Sequence, residues 1–375
     1  MVAMLQQPSQ FTPPRSDIGV LVQIIFSAAF ILYLLYAQRI QSLTMLKQVE
    51  GTLKRVKALR DEGRRVSIEA IREIGKPDRD PTPDVERFLE HFFIQPVSLD
   101  PAGIIWKLEQ LLNVRESKFE DEVRAMAPGA SESELNNLEN LLEAALALNV
   151  YYKVIRHFYL LGKKTMNLYI IMQIHMLLPL LMREIEAYSA ALQAFREGMP
   201  IGDGVGALVA AKMMRGYEKR EVAKDIVAAE VPWEGRTLIV LKAKGPGGNV
   251  GKPGDAIRNI LRERGREVKA VITIDAAGKL EGEETGSVAE GIGAAIGGVG
   301  VEKYKIEEAA KEYDVPLYAV AVKEDITEVV APMPPALFDA ADKAVEAVRR
   351  LILERTREGD TVIVAGIGNT IGIAQ

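Results

Sequence analysis

Two aspartates stand where a carboxylate could act on a substrate. Asp203 lies between glycines in "PIGDGVGALVAAKMM", Pro200–Met214, at the start of a predicted helix. Asp275 closes the apolar run "KAVITIDA", Lys269–Ala276. An acid at the end of a buried strand is costly to keep there unless it is paired or works in a cleft. Each also has a structural reading. Asp203 would cap its helix by accepting backbone N–H bonds, and Asp275 would partner a loop amide.

Glycine-rich junctions surround both acids. They are Pro200–Met214 with Gly202, Gly204 and Gly206; "KGPGGNVGKPGDAI", Lys244–Ile257, with Gly248, Asn249 and Lys252; Asp275–Lys303, ending in "GGVGVEK"; and the C-terminal "AGIGNT" with Gly366, Gly368 and Asn369. Such loops at strand ends feed helices whose N-termini face ligands. Two phosphate motifs fail on spacing. Gly251-Lys252 lacks the earlier glycine and the following Ser or Thr of a P-loop, since Pro246 and Pro253 stand there. Gly366, Gly368 and Gly372 are one residue too widely spaced for a dinucleotide fingerprint.

Composition removes other chemistries. The chain has no cysteine, which excludes disulfides, thiol nucleophiles and thiolate metal sites. It has three histidines, His91, His157 and His175, and neither His157 nor His175 has a carboxylate at ligand spacing. No metal and no cofactor are expected. A net charge of −5 argues against nucleic acid as a partner.

The elements that must position the acids follow from texture. From residue 199 onward, strands alternate with helices. The strands read Arg236–Ala243, Lys269–Ala276, Pro316–Val322 and Asp360–Gly366; the helices read Val205–Arg215, Ala256–Arg264, Lys305–Tyr313 and Ala336–Arg357. This pattern predicts a three-layer α/β domain over 199–375 with a mostly parallel sheet. Residues 76–198 read as an all-helical domain. Its helix after Ser131-Glu132-Ser133-Glu134 begins with a capping-box pattern, and Met166–Met182 reads first as a buried core helix, then as a membrane-surface or partner helix, then as a second span.

Ile18–Gln38 contains no charged residue and is long enough to span a bilayer core, which takes about 20 residues. Arg15 alone precedes it, whereas Arg39, Lys47, Lys54, Arg55, Lys57 and Arg60 follow. The positive side is the cytoplasmic side. The expected layout is therefore an extracytoplasmic tail over 1–16, a single transmembrane helix over 17–38, a helical stalk over 39–75, and the bulk of the chain in the cytoplasm. Leu46, Val49, Leu53 and Val56 form an apolar stripe on the stalk. It reads either as one face of an amphipathic helix or as a short coiled coil joining copies into a homo-oligomer.

"AGIGNT", "GDGVGALVAAKM", "VITIDAAGKLE" and "GGVGVEK" followed by "VPLYAVAV" together resemble the α/β fold of hydrogenase-maturation peptidases and the spore germination protease. In those families the G-[IL]-G-N strand comes first, whereas here it comes last, so the fold looks circularly permuted. The helix fed by the Gly366 loop is then the one beginning at Asp203. As a whole, the chain also resembles an archaeal membrane-anchored family known only as a domain of unknown function. The peptidase resemblance implies that Asp203 and Asp275 act as an acid pair, activating water and protonating a leaving amine. It assigns Asn249, Lys252 and Lys303 to orienting a carbonyl or holding a substrate carboxylate. The nickel-reading role of the maturation peptidases needs a histidine that this α/β region lacks. The expected function is a membrane-tethered cytoplasmic hydrolase, an aspartate-dependent endopeptidase with a protein substrate. The alternative is a non-enzymatic membrane-bound scaffold or sensor whose glycine loops bind a nucleotide or phosphate.

Overall fold

The computed structural model describes residues 17–97 and 103–375; the expected extracytoplasmic tail lies outside them. They fall into two compact units. One contains the described chain up to Leu53 together with Ile155–Leu178, and the other contains Lys54–Val154 together with Pro179–Gln375.

Helix α1 (Asp17–Ala70) includes the expected span and most of the expected stalk, and its part up to Leu53 belongs to the first unit. Its apolar side chains between Ile18 and Tyr36 are largely exposed. Leu46 and Val49 are buried, and Leu46 lies against Gly162 near the end of helix α4 (Glu132–Thr165). This part of the stripe is therefore covered by the chain itself. Among the described residues, α5 (Leu168–Glu197) is the helix that by itself has the length and hydropathy to cross a membrane. Ile18–Leu34 passes when joined to Tyr36–Gly75, from which it is bent by 46°. One expectation is corrected here: the start of α5 is not a buried core helix. Ile171, Ile174 and Leu178 pack inward, but Tyr169, Met176 and Leu177 are exposed. Both of its faces are apolar, so hydropathy alone could not tell core from surface.

In the second unit, helices α2 (Thr82–Phe88) and α3 (Ile104–Met126) join α4 and α5. The capping box forms as expected from its residues. Glu134 Oε2 accepts the Ser131 N–H at 2.7 Å, and Ser131 Oγ accepts the Glu134 N–H at 3.4 Å. Leu135, Leu138, Leu142 and Ala145 then recur at helical spacing and are buried.

The C-terminal sheet has seven strands in the order β1-β2-β3-β7-β4-β6-β5. They are β1 (Arg220–Ala223), β2 (Ile226–Trp233), β3 (Arg236–Ala243), β4 (Val268–Gly278), β5 (Val288–Ile292), β6 (Leu317–Glu324) and β7 (Thr361–Gly366). The sheet is mixed rather than mostly parallel. Strands β3, β7, β4 and β6 are parallel, whereas β1–β2, β2–β3 and β5–β6 pair antiparallel. The cause is local. Glu234 and Gly235 both adopt positive φ, 48° and 71°, the conformation a two-residue hairpin demands. The chain therefore folds back before β3 instead of crossing over. Helices α6 (Val205–Met213) and α9 (Pro335–Arg355) cover one face, and α7 (Pro253–Arg264) and α8 (Val301–Glu312) cover the other.

Candidate active site

The last strand, β7, lies at the centre of the sheet, with Gly366 flanked by Lys242 on β3 and Ile274 on β4. Its loop meets the start of α6 at very short range. A Cβ at Gly366 would lie 2.3 Å from the Gly206 carbonyl oxygen, and one at Gly204 2.7 Å from that of Asn369. Gly368 has φ +115°, and a Cβ there would lie 1.9 Å from the Asp203 carbonyl oxygen. Only glycine fits such a backbone-to-backbone approach. The C-terminal loop thus docks on the helix that begins far upstream.

Asp203 is held from two sides. Its N–H donates to the Val329 carbonyl at 2.8 Å, and its Oδ2 accepts the Asn369 N–H at 2.7 Å. Asn369 Nδ2 donates to Asn140 Oδ1 on α4 at 3.0 Å. Thr370, fully buried, donates its hydroxyl to the carbonyls of Gly247 and Asn249 at 2.9 and 3.0 Å. The four glycine junctions of the sequence are therefore not equivalent. Three of them, around Asp203, Gly248 and Asn369, are hydrogen-bonded into one site.

Asp275 approaches from the other side of the sheet. Ile272 and Ile274 belong to the core under α6 and α9. The alternate residues Thr273 and Asp275 face the loop before α8, accepting the N–H groups of Ala295 at 2.7 Å and Gly297 at 3.0 Å. The second Asp275 oxygen accepts the Ala276 N–H. Asp203 and Asp275 therefore do not converge from one face. The acid on the Asp203 side is Glu324, at the end of β6 in line with buried Val320 and Val322. Its Oε2 is buried without a hydrogen-bond partner among the described residues, and a Cβ on Gly202 would lie 2.3 Å from it. Sequence reading missed Glu324, although "LYAVAVKE" carried the same signal as "VITIDA", an acid closing a buried row.

Burial pushes all three carboxyls toward their neutral forms. The Asp203 pKa is raised by desolvation, against which the Asn369 N–H works. Asp275 is pushed up to about 7 by burial and then by the Asp203 charge. Glu324 is pushed up to about 8 by burial and by the charges of Asp203, Glu328 and Asp275. None of the three forms an ion pair among the described residues.

Asp203 lines a cavity of about 470 Å³ with Arg115, Asn140, Glu143, Tyr188 and Asn369. A neighbouring cleft of about 490 Å³ shares Arg115, Asn140, Glu143 and Asn369 and adds Gly248, Asn249 and Lys252. Asp275 lines neither. The expected substrate-holding groups are largely engaged. Lys252 Nζ is held by both Glu116 oxygens at 2.7 and 2.8 Å. The Gly248 N–H donates to Asn137, and its carbonyl accepts from Asn140. The side chain of Asn249 accepts the Gly251 N–H at 2.8 Å. The other cleft cations are also matched, Lys224 by Glu120, Arg115 by Glu143 and Lys244 by Glu221. Lys303 is exposed on α8, 4.0 Å from Glu307. The buried lysine of that helix is Lys305, whose ammonium is held by Glu109, Asp255 and Glu302. These are the three acids whose oxygens cluster within 4.8 Å among the described residues, and the cation between them is the protein's own.

Two family models match the chain. "Domain of unknown function (DUF1512) C-terminal" matches residues 201–374, and "Protein of unknown function (DUF1512) N-terminal domain" matches residues 23–198. The chain belongs to the DUF1512 family. The boundary between the two DUF1512 models falls just after α5. In space, however, Lys54–Val154 packs into the same compact unit as the sheet, and α4 supplies Asn140 to the site. No curated protein and no solved structure matches the chain.

Proposed function

We propose that this DUF1512 protein is a membrane-tethered cytoplasmic hydrolase that uses buried carboxyls for acid–base chemistry, with a polypeptide as substrate. One observation carries the reading: the Asp203 carboxyl is half-buried, forms no ion pair among the described residues, and is set in the wall of a cavity between α4 and the C-terminal loop. A carboxyl whose pKa is raised holds its proton more readily and can pass it to a leaving amine, and its conjugate base can take a proton from attacking water. Asp203 is the group that would meet substrate. Glu324, under Gly202 on the same side, is the acid best placed to exchange its proton, and Asp275 sets the local potential from behind the sheet. The short motifs shared with the maturation peptidases and the germination protease favour peptide-bond cleavage among hydrolytic reactions. The tether is the apolar run Ile18–Gln38, with the basic residues that follow it on the cytoplasmic side. A nucleotide- or phosphate-binding sensor has less support, because the cleft cations are already matched by carboxylates.

The test is to express full-length protein carrying Asp203→Asn or Glu324→Gln with candidate cytosolic proteins and follow their cleavage by mass spectrometry. Loss of cleavage by about 100-fold or more is expected for Asp203→Asn, in the range of acid–base contributions. Undiminished cleavage by a folded Asp203→Asn, Glu324→Gln double variant would end the proposal.

A further inference from the structure

The smaller unit carries a surface that the acid site does not explain. From Ile155 to Leu178 there is no Asp or Glu, whereas Arg156, Lys163 and Lys164 are exposed. Nor is there an acid between Ile18 and Val49, where Arg39 and Lys47 lie. A chain of net charge −5 thus keeps this unit cationic.

The same stretch exposes large apolar side chains. Tyr169, Met176 and Leu177 share one face of α5 and are 74%, 70% and 51% exposed. Phe158 and Leu160 are exposed near the end of α4. The opposite face of α5, Ile171, Ile174 and Leu178, is buried. A helix with one apolar face packed and another bare marks an interaction surface. Position indicates the occupant. The buried stripe of α1 in this unit runs Ser42, Leu46 and Val49, beginning about one turn past Gln38. Leu46 lies against Gly162, and Gln48 Oε1 lies 2.6 Å from a ring nitrogen of His175. The α4–α5 turn therefore flanks the part of α1 that leaves the apolar run.

We propose that the α4–α5 turn is a second membrane contact, seated in the leaflet from which α1 emerges. Phe158, Leu160, Tyr169, Met176 and Leu177 would enter the interface, with Lys163 and Lys164 on anionic headgroups. The inference rests on reading Ile18–Gln38 as an anchor. An anionic bilayer is the occupant rather than a second copy, because two such surfaces would set like charges against each other. A full crossing by α5 is disfavoured, since Arg183 farther along it is bonded to Asp325 at 2.7 Å.

The chain has no cysteine, so single introduced cysteines can be labelled without background. Full-length protein carrying Phe26→Cys, Tyr169→Cys, Leu177→Cys or Lys343→Cys is labelled with a fluorophore. It is then reconstituted in phosphatidylcholine vesicles containing phosphatidylglycerol. Probes at 169 and 177 are expected to be quenched by lipid-linked nitroxides and shielded several-fold from a water-soluble quencher relative to the probe at 343. The shielding should weaken when Lys163→Glu and Lys164→Glu are added. Equal access of the water-soluble quencher to 169, 177 and 343 overturns the inference. So does shielding that vanishes when the protein is diluted in excess lipid, which would assign the surface to a second copy. A shielded probe at 26 beside accessible probes at 169 and 177 sinks this inference alone. An accessible probe at 26 sinks the anchor as well. Neither outcome touches the aspartate test of hydrolysis.

Discussion

The backbone N–H of Asn369 donates a 2.7 Å hydrogen bond to Oδ2 of Asp203, across 166 positions of sequence. This bond fixes an acid at the start of α6 to the last turn of the chain. It also makes the C-terminal loop part of the candidate site.

Closing that junction depends on Gly368. At φ +115°, with the Asp203 carbonyl 1.9 Å from an added Cβ, Gly368→Ala must displace the loop. The expected cost is on the order of 2–4 kcal/mol from strain and overpacking. Thermal unfolding would register it as a clear drop in Tm. Little or no drop would mean that the loop docks less closely than described.

Glu324 carries a pH-dependent cost. Its pKa is about 8 in the folded chain against 4.5 unfolded, so the folded state binds the extra proton between those values. Stability should fall as pH rises from about 4.5 to 8 and level off above. Glu324→Gln removes that slope. The variant should gain on the order of 1–3 kcal/mol over the parent at pH 9, and the gain should shrink toward pH 5. Urea titrations at both pH values would measure it, and a gain independent of pH would contradict it.

Lys242 has the opposite sign. It is fully buried on β3, donates to the Ala243 carbonyl at 2.9 Å, and has its pKa lowered to about 8 by burial and by Lys219. Its charged form is a cost in the folded state below pH 8, relieved as pH rises toward 10.5. Lys242→Met should therefore stabilise the protein near pH 7 and lose that advantage above pH 10. Destabilisation at neutral pH would instead assign the ammonium an essential partner near Gln375.

Lys305 is the structural counterpart. Burial works against its charge, but the hydrogen bonds its ammonium donates to Glu109, Asp255 and Glu302 outweigh it, and its pKa is raised. Lys305→Met leaves three acids facing one another between α3, α7 and α8. A loss of about 3–5 kcal/mol is expected at pH 7. Chemical unfolding should show a smaller loss near pH 4, where those carboxyls begin to protonate. An equal loss at both pH values would point to packing alone.

Part of this was legible in the residues themselves. Local apolar periodicity identified the four parallel strands, since fully buried strands read as continuous β-branched runs. The absence of charge from Ile18 to Gln38 identified the long apolar segment at the start of α1. Ser131 and Glu134 announced the start of α4, because a capping box closes within a single turn.

Tertiary structure decided what depends on partners distant in sequence. Strands β1 and β5 are exposed at the two sheet edges and too weakly patterned to stand out, and β2, although mostly buried, lacks a continuous β-branched run. The sheet became mixed only when hairpin backbone geometry was fixed. Strand alternation gave Asp275 and Glu324 relative faces, but not which loop each face would meet. Asp275 is spent on the N–H groups of Ala276 and Gly297, whereas Glu324 lies under the Asp203 turn. Spacing likewise could not separate Lys303 from Lys305, because burial is set by the neighbouring helices. Sequence determined which segments are apolar, acidic or turn-forming, as these are properties of adjacent residues. Only the folded chain decided which acids meet, because that depends on hydrogen bonds and close backbone approaches spanning most of its length.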